Sequence, residues 1–204
     1  MALILDTETN GLPNLKGLFW GDFPDYKNIE KYDTSRIVQF SMMICDNNFN
    51  EILQYDAIVK RDKFDICNTE FHGITNEISD MRGKKFIDIA IEFYGILKTI
   101  DCIVAHNIAF DINVIKAELY RYELFHIIDE IDKKNLLCTM KHTKPILKII
   151  NKYGKYKNPS LNELYTFNFG KNIENAHNSL YDVINLHKVV KHMHDNNTLN
   201  FSLY

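Results

Sequence analysis

The apolar positions from 2 to 5 form a short unbroken run that stops at Asp6, the pattern of a central strand buried on both faces. Residues 11–35 carry Gly11, Pro13, Gly17, Gly21 and Pro24 and read as a long loop. Strands are expected over 36–45 and 52–60, joined by a turn at 46–50. Within 84–100, Phe86, Ile89, Ala90, Phe93 and Leu97 recur at helical spacing. A second apolar strand follows at 102–105, then a helix at 108–121, a short strand near 136–138 and two or three further helices. Strands first, then strand–helix alternation, predict an α/β fold in which a mixed sheet is flanked by α-helices. With no internal repeat, low-complexity tract or interdomain linker, residues 1–204 read as one domain, with 12–35 as a loop insertion.

Composition changes this picture little. A chain of 204 residues, 46% apolar and 12% aromatic, can build one substantial core. Cys45, Cys67, Cys102 and Cys138 are scattered without a CxxC pair, which indicates neither a zinc site nor a disulfide framework. No basic-then-apolar signal pattern opens the sequence, and no apolar run reaches the roughly 20 residues of a membrane span. The expectation is a soluble intracellular protein with no membrane partner.

A formal net charge of −3 argues at first against a polyanionic partner. Positive charge is nevertheless concentrated locally. Residues 141–157 hold six lysines (141, 144, 148, 152, 155 and 157) and no acid. On a continued helix Lys141, Lys148 and Lys152 would fall near one face, with Tyr153 and Tyr156 interleaved as stacking groups for nucleic acid. A solvated lysine face accounts for the pattern equally well.

Candidate chemistry lies in three distant segments, LILDTETNG, IVAHNIAFD and NAHNSLYDV, which contribute Asp6, Glu8, Asp111, His177 and Asp182. On a strand, Asp6 and Glu8 project to one side, at the strand end where open α/β sheets place ligands. An isolated D-x-E is common and alone marks only a loop start. Asp111 shares a helix face with Ile108, Ile112 and Ile115, as a partner of the helix dipole or a metal ligand. His106 and Asn107 precede that helix, and Asn107 is the expected cap. Asn178 or Ser179 should cap a helix running to about His194, with His177 on the lead-in and Asp182 one turn inside.

Four carboxylates meeting without compensation would repel strongly. Two divalent cations would cancel that charge, bring the count to about +1, and polarise a phosphodiester. A histidine is the right group to take a proton from water near neutral pH. The combination reads as a metal-dependent nuclease.

The motifs resemble those of DnaQ-like 3′–5′ exonucleases of the DEDDh type, within the ribonuclease H-like fold. DTETNGLP is similar to the first motif and RIVQFSMMI to the strand after it. FHGIT resembles the segment that helps hold the terminal nucleotide, and IVAHNIAFDINVI the second motif. LCTM, SLNELYTFNFG and AHNSLYDV correspond to the last strand, the penultimate helix and the final motif, whose histidine defines the subtype. The resemblance spans nearly the whole chain. It implies a five-stranded sheet, three strands antiparallel and the rest parallel. It implies two Mg²⁺ or Mn²⁺ ions on Asp6, Glu8, Asp111 and Asp182, with His177 deprotonating the attacking water.

Products would be nucleoside 5′-monophosphates released from a nucleic-acid 3′ end. Thr7 and Thr9 would contact the terminal nucleotide, His72, Gly73 and Ile74 would frame its base, and Asn107 and Phe110 would border the sugar and phosphate. Ordinary core packing accounts equally well for Ile74 and Phe110. Asn10 stands where threonine is commonest, a change of small expected consequence. The insertion is long, and its Phe19, Trp20, Phe23 and Tyr26 would form a flap near the site or a core of their own. DNA is the favoured substrate, in repair or proofreading. An RNA or oligoribonucleotide exonuclease would use the same residues, and a catalytically dead binding module is the third possibility.

Overall fold

The computed structural model describes residues 1–19, 21–174 and 178–198. Strand β1 (Ala2–Thr9) is longer than its apolar run, because the strand carries on through Asp6 and Glu8. It pairs antiparallel with β2 (Ile37–Cys45), which pairs antiparallel with β3 (Glu51–Ile58). The β2–β3 turn is closed by Asp46, whose Oδ1 accepts the backbone N–H groups of Asn48 and Asn50 at 2.8 Å each.

Two short helices, α1 (Thr69–His72) and α2 (Asn76–Arg82), precede the amphipathic α3 (Phe86–Leu97). Strand β4 (Cys102–Ala105) then pairs parallel with β1 on its free side. Helices α4 (Ile108–Arg121) and α5 (Phe125–Ile131) lead to β5 (Asn135–Cys138), parallel to β4. The chain ends its described part with α6 (Thr139–Leu147), α7 (Leu161–Phe169) and α8 (Ser179–Asp195). The five-stranded order is β3-β2-β1-β4-β5, the mixed sheet expected. None of the described helices is long and apolar enough to cross a membrane.

Strand alternation sorts β1 between two cores. Leu3 and Leu5 pack with Phe40, Met42 and the apolar faces of α3, α4 and α5. Ala2 and Ile4 face the other way, against Val183, Leu186, Val189 and Val190 of α8. Asp6 and Glu8 continue the second series, which carries them towards the N-terminal turn of α8.

Two expectations are corrected. Residues 11–35 are not wholly irregular: a 3₁₀ turn at Ile29–Tyr32 buries Tyr32, whose hydroxyl donates to the Pro24 carbonyl at 2.6 Å. The lysine-rich stretch is not one helix, because α6 ends at Leu147 and Lys148 adopts a left-handed backbone, φ 50°. Lys141, Lys148 and Lys152 therefore share no helix face. Pro145, within the last turn of α6, supplies no N–H to prolong the ladder.

Candidate active site

Asp6 and Glu8 reach the α8 side of β1, and Asp182 comes from the first turn of α8. Their carboxylate oxygens lie within 4.8 Å of one another. Asp111 approaches from the opposite layer, at the first turn of α4, and is only 2% exposed. It stands outside that three-residue cluster. The backbone N–H and the hydroxyl of Thr7 both donate to its Oδ1, at 3.1 and 2.9 Å. Thr7 thus fixes a carboxylate, a role the sequence expectation of a nucleotide contact did not include. The strand parity that points Asp6 one way points Thr7 the other, and this signal was available in the sequence.

The electrostatics are those of crowded, desolvated carboxylates. Burial, then the charges of Asp111, Asp182 and Glu8, hold Asp6 well above the usual carboxylate range. Burial followed by Asp182 and Asp111 pushes Glu8 up to about 7. Burial raises Asp111 to about 7 despite the opposing hydrogen bonds from Thr7. Among the described residues, Asp6, Glu8 and Asp111 form no ion pair with lysine or arginine. Hard oxygen donors, crowded and partly desolvated, fit Mg²⁺ or Mn²⁺ rather than a soft thiophilic metal.

The position of α8 depends on β2 and β3. The hydroxyls of Ser41 and Ser179 lie 2.5 Å apart, and Ser41 also donates to Asp56 Oδ1 at 2.7 Å. Gln39 donates from Nε2 to the same oxygen at 2.9 Å and accepts the Ser179 N–H on Oε1 at 3.4 Å. Asn178 caps α8, its Oδ1 accepting the Tyr181 N–H at 3.4 Å. His177 lies outside the described residues.

A cleft of about 350 Å³ adjoins Glu8, lined also by Thr7, Thr9, Gly11, Leu12, Asn68, Phe71, His72 and Phe110. Four of the seven residues expected to touch substrate, Thr7, Thr9, His72 and Phe110, therefore meet there. The Thr9 hydroxyl donates to the Gly11 carbonyl at 2.8 Å. His72 is 7% exposed, and its Nδ1 accepts the Ile74 N–H at 3.1 Å. That bond puts the ring proton on Nε2, which donates to the Cys67 carbonyl at 3.2 Å. Burial lowers its pKa and keeps the ring neutral.

Gly73, Ile74 and Asn107 do not line the cleft. Ile74 packs with Val38 and Ile66 in a small third core. Gly73 ends α1 with φ 71°, where a side chain would be strained. Asn107 sits at the N-cap position of α4 with φ 70°, and its side chain makes no capping bond, which corrects the expected role. The Phe23 ring lies 6.1 Å from that of Phe110, so the insertion reaches the cleft wall, whereas Phe19 is 86% exposed. Tyr26 pairs with Tyr120 at 6.1 Å, and Trp20 lies outside the described residues.

Asn10 is far from inert. Its Oδ1 accepts the Cys67 N–H, its Nδ2 donates to the Asp65 carbonyl at 3.1 Å, and its own carbonyl accepts from Asn68 Nδ2 at 2.6 Å. It staples the strand end to the segment leading into His72. Gly11 permits this closeness, since a Cβ there would meet the Thr34 carbonyl oxygen at 2.9 Å and Asn68 Nδ2 at 3.2 Å.

Fold and site together define an α/β protein with a half-buried acidic cluster at the end of its central strand. The chain belongs to the RNase T exonuclease family, of the DnaQ-like group, whose model matches residues 3–190. Among solved structures, E. coli exonuclease I in complex with a dT13 oligonucleotide is 19% identical with a TM-score of 0.69, covering 94% of this chain and 40% of that one. Exonuclease X in complex with 5′ overhanging duplex DNA is 19% identical with a TM-score of 0.60, covering 98% of this chain and 95% of that one. Exonuclease I from Methylocaldum szegediense is 20% identical with a TM-score of 0.70, covering 99% and 41%. The chain thus spans about 40% of the length of the exonuclease I structures, and the likeness establishes the shared fold. No curated protein matches the sequence.

Proposed function

We propose that this protein is a 3′–5′ exonuclease that hydrolyses terminal phosphodiesters of DNA, at single-stranded or frayed 3′ ends, to nucleoside 5′-monophosphates. The observation that carries the reading is the convergence of Asp6, Glu8 and Asp182 within 4.8 Å beside a nucleotide-sized cleft, in a chain of an exonuclease family. Asp6, Glu8, Asp111 and Asp182 are the residues that would hold two Mg²⁺ or Mn²⁺ ions. Such ions polarise a phosphodiester, activate water and offset the charge that builds up during hydrolysis.

The chain's own residues do the rest. Thr7 holds Asp111 in one rotamer, so the donor set is ordered before any ligand arrives. Leu12, Phe71 and Phe110 give the cleft an apolar wall for the terminal base, and His72, neutral and doubly hydrogen-bonded, closes its floor. His177 is assigned the removal of a proton from the attacking water, on its place five residues before Asp182. DNA as substrate draws support from neighbours bound to a DNA oligonucleotide and to overhanging duplex DNA, and repair or proofreading would use such an activity.

The test is digestion of matched 5′-labelled DNA and RNA oligonucleotides with Mg²⁺, Mn²⁺ or EDTA. A metal-dependent ladder shortening from the 3′ end, faster on DNA, is expected. A faster RNA ladder would move the substrate to RNA, and no shortening of either would leave a binding module.

A further inference from the structure

The lysine-rich segment after α6, although not a helix, has a definite shape. Residues 149–157 fold into a tight hairpin in which Ile150 bridges Tyr156, Lys157 N–H donates to the Ile149 carbonyl at 2.8 Å, and Asn151 N–H donates to Lys155 at 2.8 Å. The Asn151 side chain sets the turn, its Oδ1 accepting the N–H groups of Tyr153 and Lys155 at 2.9 and 3.0 Å. Gly154, at φ 74°, supplies the left-handed position the turn requires.

What the hairpin displays is unusual for a chain of net charge −3. Lys148, Lys152 and Lys155 are exposed, and none forms an ion pair among the described residues. Tyr153 at the tip is 74% exposed and Tyr156 48%. Lys152 Nζ lies 5.0 Å from the Tyr153 ring centroid, so cation and aromatic face form one platform. Lys157, at the base, is spoken for by Glu163 at 2.5 Å. A platform built only for solubility has no use for two open tyrosine rings among its lysines.

The hairpin is also tied to the candidate active site. His106, in the β4–α4 turn five residues before Asp111, donates from Nε2 to the Pro159 carbonyl at 3.0 Å. Its Nδ1 lies within hydrogen-bond distance of the Thr139 hydroxyl, at 3.0 Å. One histidine therefore clamps both ends of the segment that contains α6 and the hairpin. Burial lowers the His106 pKa, against the opposing bond to the Pro159 carbonyl.

We infer that the 149–157 hairpin, with Lys148 at its base, is a second nucleic-acid contact: it grips the strand on the 5′ side of the terminal nucleotide, lysines on phosphates and Tyr153 under a base. The proposal rests on the exonuclease reading for the direction of the strand, but the contact itself does not. Backbone neutralisation by lysine and stacking on an open ring are both indifferent to sequence, as an enzyme that steps along a strand needs.

The test measures binding without turnover, by fluorescence anisotropy of a labelled 20-nucleotide single-stranded DNA in EDTA over a salt series. Wild type is compared with Tyr153→Ala and with Lys152→Gln/Lys155→Gln, and unchanged melting temperatures check folding. Expected are affinities at least about tenfold weaker in each variant, and a salt slope smaller by about 1.4 in the double variant, or about 0.7 per lost phosphate contact. A trinucleotide should show little difference between wild type and variants. Equal affinity and slope in all three proteins, or no wild-type binding of the 20-mer, would overturn the proposal. Parallel digestion of the same oligonucleotide with Mg²⁺ separates the two readings. Hairpin-dependent binding without digestion would sink the exonuclease and keep the contact, and digestion with hairpin-independent binding would do the reverse.

Discussion

Thr7 and Asp111, 104 residues apart, are joined by two hydrogen bonds to a single carboxylate oxygen, one from the Thr7 N–H and one from its hydroxyl. Threonine projects to the opposite face of β1 from Asp6 and Glu8, so one strand contributes two carboxylates of the cluster and the brace for Asp111. Thr7→Val keeps the shape of the side chain and deletes the hydroxyl donor. Because that bond favours the charged carboxylate, its loss should raise the Asp111 pKa further and loosen its rotamer. We expect the Mg²⁺ concentration for half-maximal hydrolysis to rise about 10- to 100-fold in Thr7→Val, and to return near wild type in Thr7→Ser. A metal titration of activity decides it; equal half-saturation in Thr7→Val would remove the brace.

The acidic cluster makes the metal-free protein sensitive to pH in a defined direction. Asp6 is held well above its ordinary value, and Glu8 and Asp111 reach about 7, all above unfolded carboxylates near 4. Between those limits these groups bind more protons in the folded state than in the unfolded one, so their contribution to stability is fully present below about pH 4 and is lost as pH rises through about 7. Thermal melting in EDTA should therefore fall from pH 5 to pH 8. Mg²⁺ should restore more at pH 8 than at pH 5, since it competes with the same protons. Asp6→Asn should abolish hydrolysis yet melt higher than wild type in EDTA at pH 8, because it removes a repelling charge. A flat EDTA profile would mean the carboxylates are compensated by something other than metal.

Arg36 and Glu118 form an ion pair between β2's entry and α4, with side chains 10% and 6% exposed. Phe64 stacks on the guanidinium at 4.6 Å, and Arg121 Nε stands 3.9 Å from the second carboxylate oxygen. Burial costs both charges solvation, so removing one partner strands the other. Arg36→Met should destabilise by about 3–5 kcal/mol, while Arg36→Met/Glu118→Met should recover much of that loss. Urea denaturation of the single and double variants measures the difference. Additive losses would show that the pair is not coupled.

Most element positions were legible because they rest on periodicity: β4 and α4 fall at the anticipated residues, and α3 lies within its window. The short helices α1 and α2 were not, since four and seven residues are too few to show a repeat. The lysine segment misled because spacing assumed a helix that Lys148 ends in a left-handed turn. In the site, the acidic residues stood out by type and order, whereas their supports did not. Asn10 looked like an idle replacement for threonine, yet its amide and carbonyl hold the 65–68 segment. Gln39 and Ser41 meet Asp56 on the next strand and Ser179 on α8 only through the fold. Long-range polar contacts of this kind leave no period in a sequence.

His177 lies outside the described residues, and the role proposed for it rests on chemistry and order along the chain. A base that must take a proton from water near neutral pH has to be unprotonated there, which an imidazole with an ordinary pKa near 6.5 satisfies. Asp182, five residues on, is anchored at the first turn of α8 by a helix whose start is pinned to β2. His177→Ala should leave metal affinity, read by the Mg²⁺-induced rise in melting temperature, close to wild type. The hydrolysis rate should fall about 10²- to 10⁴-fold. The wild-type rate should decline as pH drops through the histidine range, and that limb should disappear in the variant, leaving only the acid loss of the carboxylate site. A variant that kept both the rate and the limb would exclude His177 as the base and shift attention to water activated by the ligand set alone.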